Sequence, residues 1–486
     1  MAEIKRSEIE SNPIARIGWF IGLGTLAILG VLISIAPVAV SLIIIGLVAF
    51  VGAIILVYRY SSLYQALIVG FIFLLFALFD IYGYFPIINL NFKLYLADGI
   101  IFLMVVLALK LTSDNSFFYR LSAPISSLLF VNFIFGFFAL MIGFIVGHQL
   151  NDVIGDFRRF FLYPLAYFIP LSFNFNRSKE KKLIFLFLIT LLVICSIALF
   201  RVITSQTWDP AQFSQAGDFR AIGYFTGVIV VMGLGVFYGQ SLTQSGYRKW
   251  VTLMFCAFLI AVGFLSGYRL LWVFIIATPL LVTYFTYRQT KGIFKIFGTV
   301  ILIILLLIVV LLLVSRLFPD WFLLIQTKFL ERVIGFSFVD NIRFFAWQTA
   351  WEKFLTSPIY GVGIGDQFSF WGFDSQGNPH LFLLTTHNEF MSILYQTGII
   401  GAIIFLAIHF RIIEYMRIKL KDTEIRSRGP IAGMFSGYLA ALILGLFQPL
   451  FETPGAIVAF YLWIGLMMNF LRYYSNEIQS TVTHNE

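Results

Sequence analysis

Stretches of apolar residues long enough to cross a bilayer, parted by short polar breaks, recur along the chain. They predict transmembrane helices at 17–36, 38–57, 63–81, 96–109, 125–146, 160–173, 183–200, 221–238, 251–265, 270–287, 297–314, 388–410, 431–447 and 457–471. The run at 96–109 is short, and that at 160–173 carries Pro164 and Pro170, which suit a kinked or re-entrant element. Twelve to fourteen helices are therefore expected. The first run has no small-residue cleavage site and is followed at once by a second, so it reads as a span and not as a removable leader.

The expected organisation is a group of N-terminal transmembrane helices over 1–200, a second group over 201–314, a loop over 315–386 and C-terminal helices over 387–486. Within the loop, residues 341–355 predict an amphipathic helix. Phe344, Trp347, Trp351 and Phe354 recur at helical spacing, with Arg343, Gln348, Glu352 and Lys353 between them. Such a helix is expected to lie along the membrane surface. After Pro358 comes the glycine-rich turn GVGIGDQF, residues 361–368.

Composition agrees with this pattern. With 60% hydrophobic and 12% charged residues over 486 positions, and a mean hydropathy of +0.92, the chain is too apolar for a soluble globule. The expected class is an all-α, polytopic integral membrane protein. Cys195 and Cys256 both lie inside apolar runs, which argues against a disulfide framework or a thiolate metal site. The net charge of +9 is a topology signal here and does not point to nucleic acid. With fourteen spans, 22 basic residues fall on the side of the N-terminus and 6 in the short loops of the other side. The positive-inside rule then puts both termini in the cytoplasm and the 315–386 loop outside.

The segment TTHNEF, residues 385–390, sets a polar cluster directly ahead of an apolar run. Thr386 followed by Glu389 has the spacing of a capping box, which makes Thr386 the expected N-cap and His387 the first helical residue. A helix N-terminus favours the neutral imidazole, which can accept a proton from a hydroxyl. The alternative is a histidine that only sits at the water–lipid boundary. Arg220, in DFRAIGYFTG, and Arg269, in LSGYRLLWVF, fall at the outer ends of spans. An arginine drawn into hydrocarbon costs roughly 2.5–3.5 kcal/mol and needs an anionic partner, either lipid headgroups or bidentate phosphate oxygens. Arg158 and Arg159, in GDFRRFF, lie on the same side, with Asp152 and Asp156 close enough in sequence to neutralise them. The turn containing Gly361, Gly363 and Gly365 lacks the lysine of a phosphate loop and allows backbone to approach backbone. HExxH, paired CxxC and DxD motifs are absent, and His148, His380, His409 and His484 have no metal-ligand spacing. No metal and no other cofactor is expected, so arginines would stabilise any leaving phosphate. These polar groups gather at one face of the predicted spans, which favours an enzyme over the alternative of a transporter or flippase with ionisable groups near mid-membrane.

The stretch NIRFFAWQTAWEKFLTSPIYGVGIGDQF, followed by TTHNEFMSILYQTGIIGAIIFL, resembles the signature region of the O-antigen ligase and O-antigen polymerase superfamily. Arg343, Trp347, Pro358, Gly361, Gly363, Gly365, His387, Asn388, Gly398 and Gly401 fill its places. LSGYR is similar to that family's S-G-S-R segment, with Tyr268 as a departure, and DFRAIGYFTG is similar to its R-x-x-G-x-F segment. The resemblance covers about residues 200–410. It implies a metal-independent, inverting glycosyltransferase of the GT-C-like membrane kind, at the outer face of the bacterial inner membrane. Its donor would be an undecaprenyl-pyrophosphate-linked oligosaccharide and its acceptor a glycan. Arg220 and Arg269 would hold the donor pyrophosphate and His387 would act on the acceptor hydroxyl, with Arg343, Gly363, Gly365, Asn388, Arg158 and Arg159 as further substrate-binding candidates. A polymerase is the expected branch and a ligase acting on lipid A-core the alternative; a chain-length regulator or a flippase would be further partners.

Overall fold

The structure, a computed structural model, describes residues 88–89, 93–94, 124–171, 177–204, 224–264, 269–287, scattered positions from 298 to 316, 338–373, 379–382, 386, 388–422, 425–447 and 454–483. The spans expected at 17–36, 38–57, 63–81 and 96–109 lie outside the described residues. The helices are α1 (Pro124–Val146), α2 (Leu150–Phe157), α3 (Phe168–Leu171), α4 (Arg177–Thr204), α5 (Tyr224–Ser241), α6 (Gly246–Phe264), α7 (Arg269–Tyr287), α8 (Phe338–Thr356), α9 (Glu389–Asp422), α10 (Ile425–Gly445) and α11 (Pro454–Thr483). Two antiparallel hairpins accompany them, β1 (Ile88–Asn89) with β2 (Lys93–Leu94) and β3 (Phe370–Phe373) with β4 (Pro379–Phe382).

The protein is an all-α polytopic membrane protein. Among the described residues, six helices are long and apolar enough to cross a membrane: Ile125–Val146, Leu183–Phe200, Gly246–Phe264, Leu270–Tyr287, Glu389–Lys421 and Ala456–Tyr474. Their positions agree with runs read from the sequence. The run at 160–173 is different. It forms a π-helical turn (Arg158–Leu162), a 3-10 turn (Tyr163–Tyr167) and the single turn of α3, because Pro164 and Pro170 each remove a backbone donor and forbid a continuous α-helix.

The chain divides into two units, one of Met1–Tyr82 with Arg177–Gly223 and one of Gly83–Asn176 with Tyr224–Glu486. In the first, α4 is an unbroken apolar helix. Its Thr190 and Ser196 hydroxyls donate to the carbonyls of Leu186 and Leu192 one turn back, so polar side chains on an apolar span need no outside partner.

In the second unit, α5 and α10 run antiparallel with their backbones in contact. A Cβ placed on Gly239 would lie 2.1 Å from the Gly429 carbonyl, and one on Gly433 would lie 2.2 Å from that of Gly235. Glycines spaced by four on both helices leave a flat strip on each, and close backbone approach gains dispersion contact where lipid offers no hydrophobic drive to association. Helix α7 packs against this pair, with Phe285 and Phe435 rings 4.9 Å apart. Helix α11 is held on the other side of α10 by Trp463, whose indole donates to Met434 O at 2.9 Å. The irregular segment after α2 lies on α11, where Asn469 Nδ2 donates to Pro170 O at 2.6 Å and Gly465 leaves room for the Tyr167 carbonyl.

The loop helix forms as α8, and the aromatic stripe read from the sequence is divided, with Trp347 half-buried and Phe354 enclosed. Ala346, Ala350 and Phe354 are buried, whereas Phe344 and Trp351 are exposed. Small alanines let α8 come close to α9 and β3, and these two rings are left outward. The β3–β4 hairpin was not anticipated. Its Phe370 and Phe382 rings stack and close over Phe368 and Tyr395.

Helix α9 is broken. Gly398 has φ +66° and ψ −166°, outside helical space. In an unbroken helix the Tyr395 carbonyl would accept from Ile399 N–H. Here Ile399 N–H donates to Pro358 O at 2.9 Å, and the carbonyls of Tyr395 and Gln396 accept from Val362 N–H and Gly363 N–H at 2.9 and 3.1 Å. The 358–363 loop therefore supplies the hydrogen bonds the break removes. Gly361, at φ +74°, and Gly398 meet backbone to backbone, since a Cβ on Gly398 would lie 2.3 Å from Ile359 O. Gly398→Ala is expected to destabilise the fold by at least about 2 kcal/mol, because positive φ and steric overlap act together. Gly155→Ala, on α2 with open space around it, should be neutral or stabilising by up to about 1 kcal/mol. Thermal unfolding of both variants in detergent checks this; equal midpoints would contradict it.

Candidate functional site

Three segments converge where α9 begins: α2 with its π-helical turn, the glycine-rich turn after α8, and residues 386–389. The approach to α9 is pinned at several points. Trp347 of α8 donates its indole N–H to Thr386 O at 2.9 Å. Asn388 Oδ1 accepts from Met391 N–H at 3.1 Å, and Ser392 N–H closes the first helical bond to Asn388 O at 3.0 Å. The N-cap is thus Asn388, two residues beyond the expected Thr386. Asparagine ranks above threonine as a cap. Thr386 Oγ1 instead donates to Asn388 O at 2.8 Å.

The displacement of the cap moves Glu389 as well. As the first helical residue it is turned away from capping and pairs with Arg159 of the π-helical turn, Nη2 to Oε2 at 2.7 Å. Both side chains are enclosed, with 13% and 4% of their surface exposed. Arg159 also lies 3.9 Å from Asp156, and its guanidinium sits 4.6 Å from the Phe160 ring centroid. Arg158 is buried and donates Nε to Ile154 O at 3.3 Å.

The glycine-rich turn enters between these elements. Gly363 and Gly365 have φ +92° and +86°, which orients successive backbone groups outward to neighbouring segments. Gly365 N–H donates to Asp156 Oδ2 at 2.9 Å, and Gln367 Nε2 donates to Asp152 Oδ2 at 2.9 Å. His148 Nε2 lies 3.0 Å from Val362 O. Asp366 forms an ion pair with Lys353 of α8, whose ammonium lies over the Phe368 and Tyr395 rings at 5.4 and 5.9 Å. Both neighbouring aspartates thus hold the turn, and Asp156 also stands by Arg159.

Of the other residues singled out in the sequence, Arg343 is half-buried on α8. Arg220 and His387 lie outside the described residues, and Arg269 opens α7 with its side chain also outside them. Glu389, Asp156, Lys353 and Asp366 carry the network and were not predicted as site residues. The signal available was charge placed in largely apolar surroundings, which demands a partner.

Asp156 lies outside the membrane-spanning helices, and burial raises its carboxyl from an ordinary 3.8 to about 6, against the opposing pull of Arg159 and the Gly365 N–H. The folded chain therefore keeps this proton over a range where the unfolded chain has released it. The group favours the folded state below about pH 4, and that contribution is lost as pH rises through about 6. Asp156→Asn retains an acceptor for Gly365 and removes the titration. The fall in stability between pH 4.5 and 7.5 is expected to shrink by up to about 2 kcal/mol in the variant. Thermal unfolding at the two pH values measures it, and identical differences in the two proteins would refute the assignment.

None of the curated proteins matches the chain. Residues 253–406 match the family model of the O-antigen ligase, about a third of the chain. The match takes in Arg269, Arg343, the glycine-rich turn, His387, Asn388 and Glu389, while Arg158, Arg159 and Arg220 fall before it. It is this segment, from α6 to the second half of α9, that is similar to the O-antigen ligase family and supports the resemblance to the O-antigen ligase/polymerase superfamily.

Proposed function

We propose that the protein is a metal-independent, inverting glycosyltransferase that polymerises a surface polysaccharide. It moves glycan from an undecaprenyl-pyrophosphate carrier to the acceptor sugar of another lipid-linked repeat, at the outer face of the bacterial inner membrane. The observation that carries this reading is the matched O-antigen ligase segment, in which the residues flanking His387 are fixed by a cap, an indole bond and a buried ion pair.

In this reading the acceptor hydroxyl meets His387 at the start of α9. The imidazole takes or orients its proton as the oxygen attacks the anomeric carbon, and the carrier pyrophosphate departs with the electron pair of the glycosidic bond. Pyrophosphate is a good leaving group, so Arg220 and Arg269 need only hold and neutralise it. Inversion follows from a single displacement. Arg343, Arg158, Asn388 and the backbone at Gly363 and Gly365 are candidates for binding the sugars, while the enclosed Arg159 is engaged by Glu389.

The family model's description favours a second reading, a ligase that hands the finished glycan to lipid A-core. Purified protein incubated with a lipid-linked oligosaccharide from its own host separates the two. A ladder of longer lipid-linked glycans without added core is the expected product; transfer only on addition of lipid A-core would make the protein a ligase. In the same assay His387→Ala and Arg269→Ala are each expected to lower the rate by 10²-fold or more, roughly the contribution of a general base or a charge-stabilising group. Full activity in both would defeat the proposal.

A further inference from the structure

The geometry points to the Arg159–Glu389 ion pair as a positioning device for the proposed reaction: it seats the start of α9, and with it the backbone that presents His387, against the π-helical turn after α2. The inference rests on the polymerase or ligase reading and adds two positioning residues to it.

Several observations lead there. Glu389 stands two residues after His387, and it is the first residue of α9. Its carboxylate is almost fully enclosed and lies 2.7 Å from a guanidinium 230 positions earlier in the chain. Such a contact crosses the unit and is not a local feature of the helix. The arginine end is itself braced: Asp156, one helical turn before Arg159, receives the Gly365 N–H, so the π-helical turn, the glycine-rich turn and α9 close into one ring of contacts. On the other flank of His387, Thr386 is tied to Trp347. The contacts thus fall on the described residues either side of position 387 in the sequence, Thr386 and Glu389, and a reacting hydroxyl must be held within a fraction of an ångström for displacement to be fast.

A buried ion pair adds little net stability but strongly resists sliding of the elements it joins, since a displaced partner leaves a bare charge. A membrane helix with a break at Gly398 has particular need of such a fastener. Residues 389–397 form a short segment that cannot borrow rigidity from the rest of α9.

The test uses the purified full-length protein with its lipid-linked donor, comparing Glu389→Gln, Glu389→Asp, Arg159→Lys and the neutral pair Arg159→Met with Glu389→Gln. The pair removes both charges of the 159–389 contact together, leaves Asp156 the Gly365 N–H and room to keep its own proton, and keeps the comparison meaningful if a single variant fails to accumulate. Glu389→Gln, Glu389→Asp and the neutral pair are expected to lower kcat 10- to 100-fold while the KM for donor changes less than about threefold, as misplacement of a reacting group does. Arg159→Lys, which keeps a charge in reach of Glu389, should recover most of the rate. The inference is overturned if the neutral pair retains kcat within twofold of the parent, or if Arg159→Lys raises the donor KM with kcat unchanged, which would make Arg159 a substrate ligand. His387→Ala measured alongside separates this from the underlying reading: full activity there defeats the enzymatic assignment of His387 whatever the ion pair does.

Discussion

Everything around the candidate site depends on one constraint, the need of backbone N–H and C=O groups in an apolar surrounding for hydrogen-bond partners. Helix α9 gives up that provision at Gly398, and the chain meets the need with the 358–363 loop, whose own groups pair with Tyr395, Gln396 and Ile399. A loop used in this way cannot carry side chains at the points of crossing. Gly361 and Gly398 are therefore fixed by geometry, and the glycines that follow turn the chain toward Asp156 and Val153.

From that crossing the rest of the site is built by charge. The loop leaves Asp366 with Lys353 and brings Gly365 to Asp156; Asp156 stands beside Arg159, and Arg159 reaches Glu389 at the head of the same helix whose break the loop repairs. The two ends of the 389–397 segment are thus held by different physics, an ion pair at one and shared backbone bonds at the other. Between them Leu394 and Tyr395 of the helix pack in one buried cluster with Phe368 and Phe370.

How far the sequence announced this can be judged residue by residue. The spans at 125–146, 183–200 and 270–287 were legible because each is a long apolar run, and burial in lipid leaves such a run no other structure. The doubt about 160–173 was legible for the same reason, through Pro164 and Pro170. The close approach at GVGIG was legible in kind, since consecutive glycines permit it, but not in its partner, because nothing local marks Gln396 as a helix residue with a carbonyl to share. The start of α9 was misplaced by two residues: Asn388 is the stronger cap of the two, and Glu389 behind it pairs with Arg159, more than two hundred positions away, a partner nothing local marks. The aromatic period of α8 was legible as a helix, but not the packing of Ala346, Ala350 and Phe354 with Phe344 and Trp351 left exposed, because nothing local marks where α9 and β3 approach. Local chemistry, in short, located the elements, and distant contacts set how they pack.

The glycine seam between α5 and α10 has a consequence for the order of assembly. Its two strips are nearly two hundred residues apart in sequence, and the family segment at 253–406 lies wholly between them. During synthesis, α6, α7, α8 and α9 all emerge before Gly429, Gly433 and Gly437 exist to meet α5. Before then, among the described helices, α5 can pack with α6 and α7, and α9 with α1 and α8, so the closing of the seam by α10 is a late step that joins helices already made. A ribosome halted short of α10 would leave a chain that holds every residue of the matched segment and lacks the clasp that gathers them.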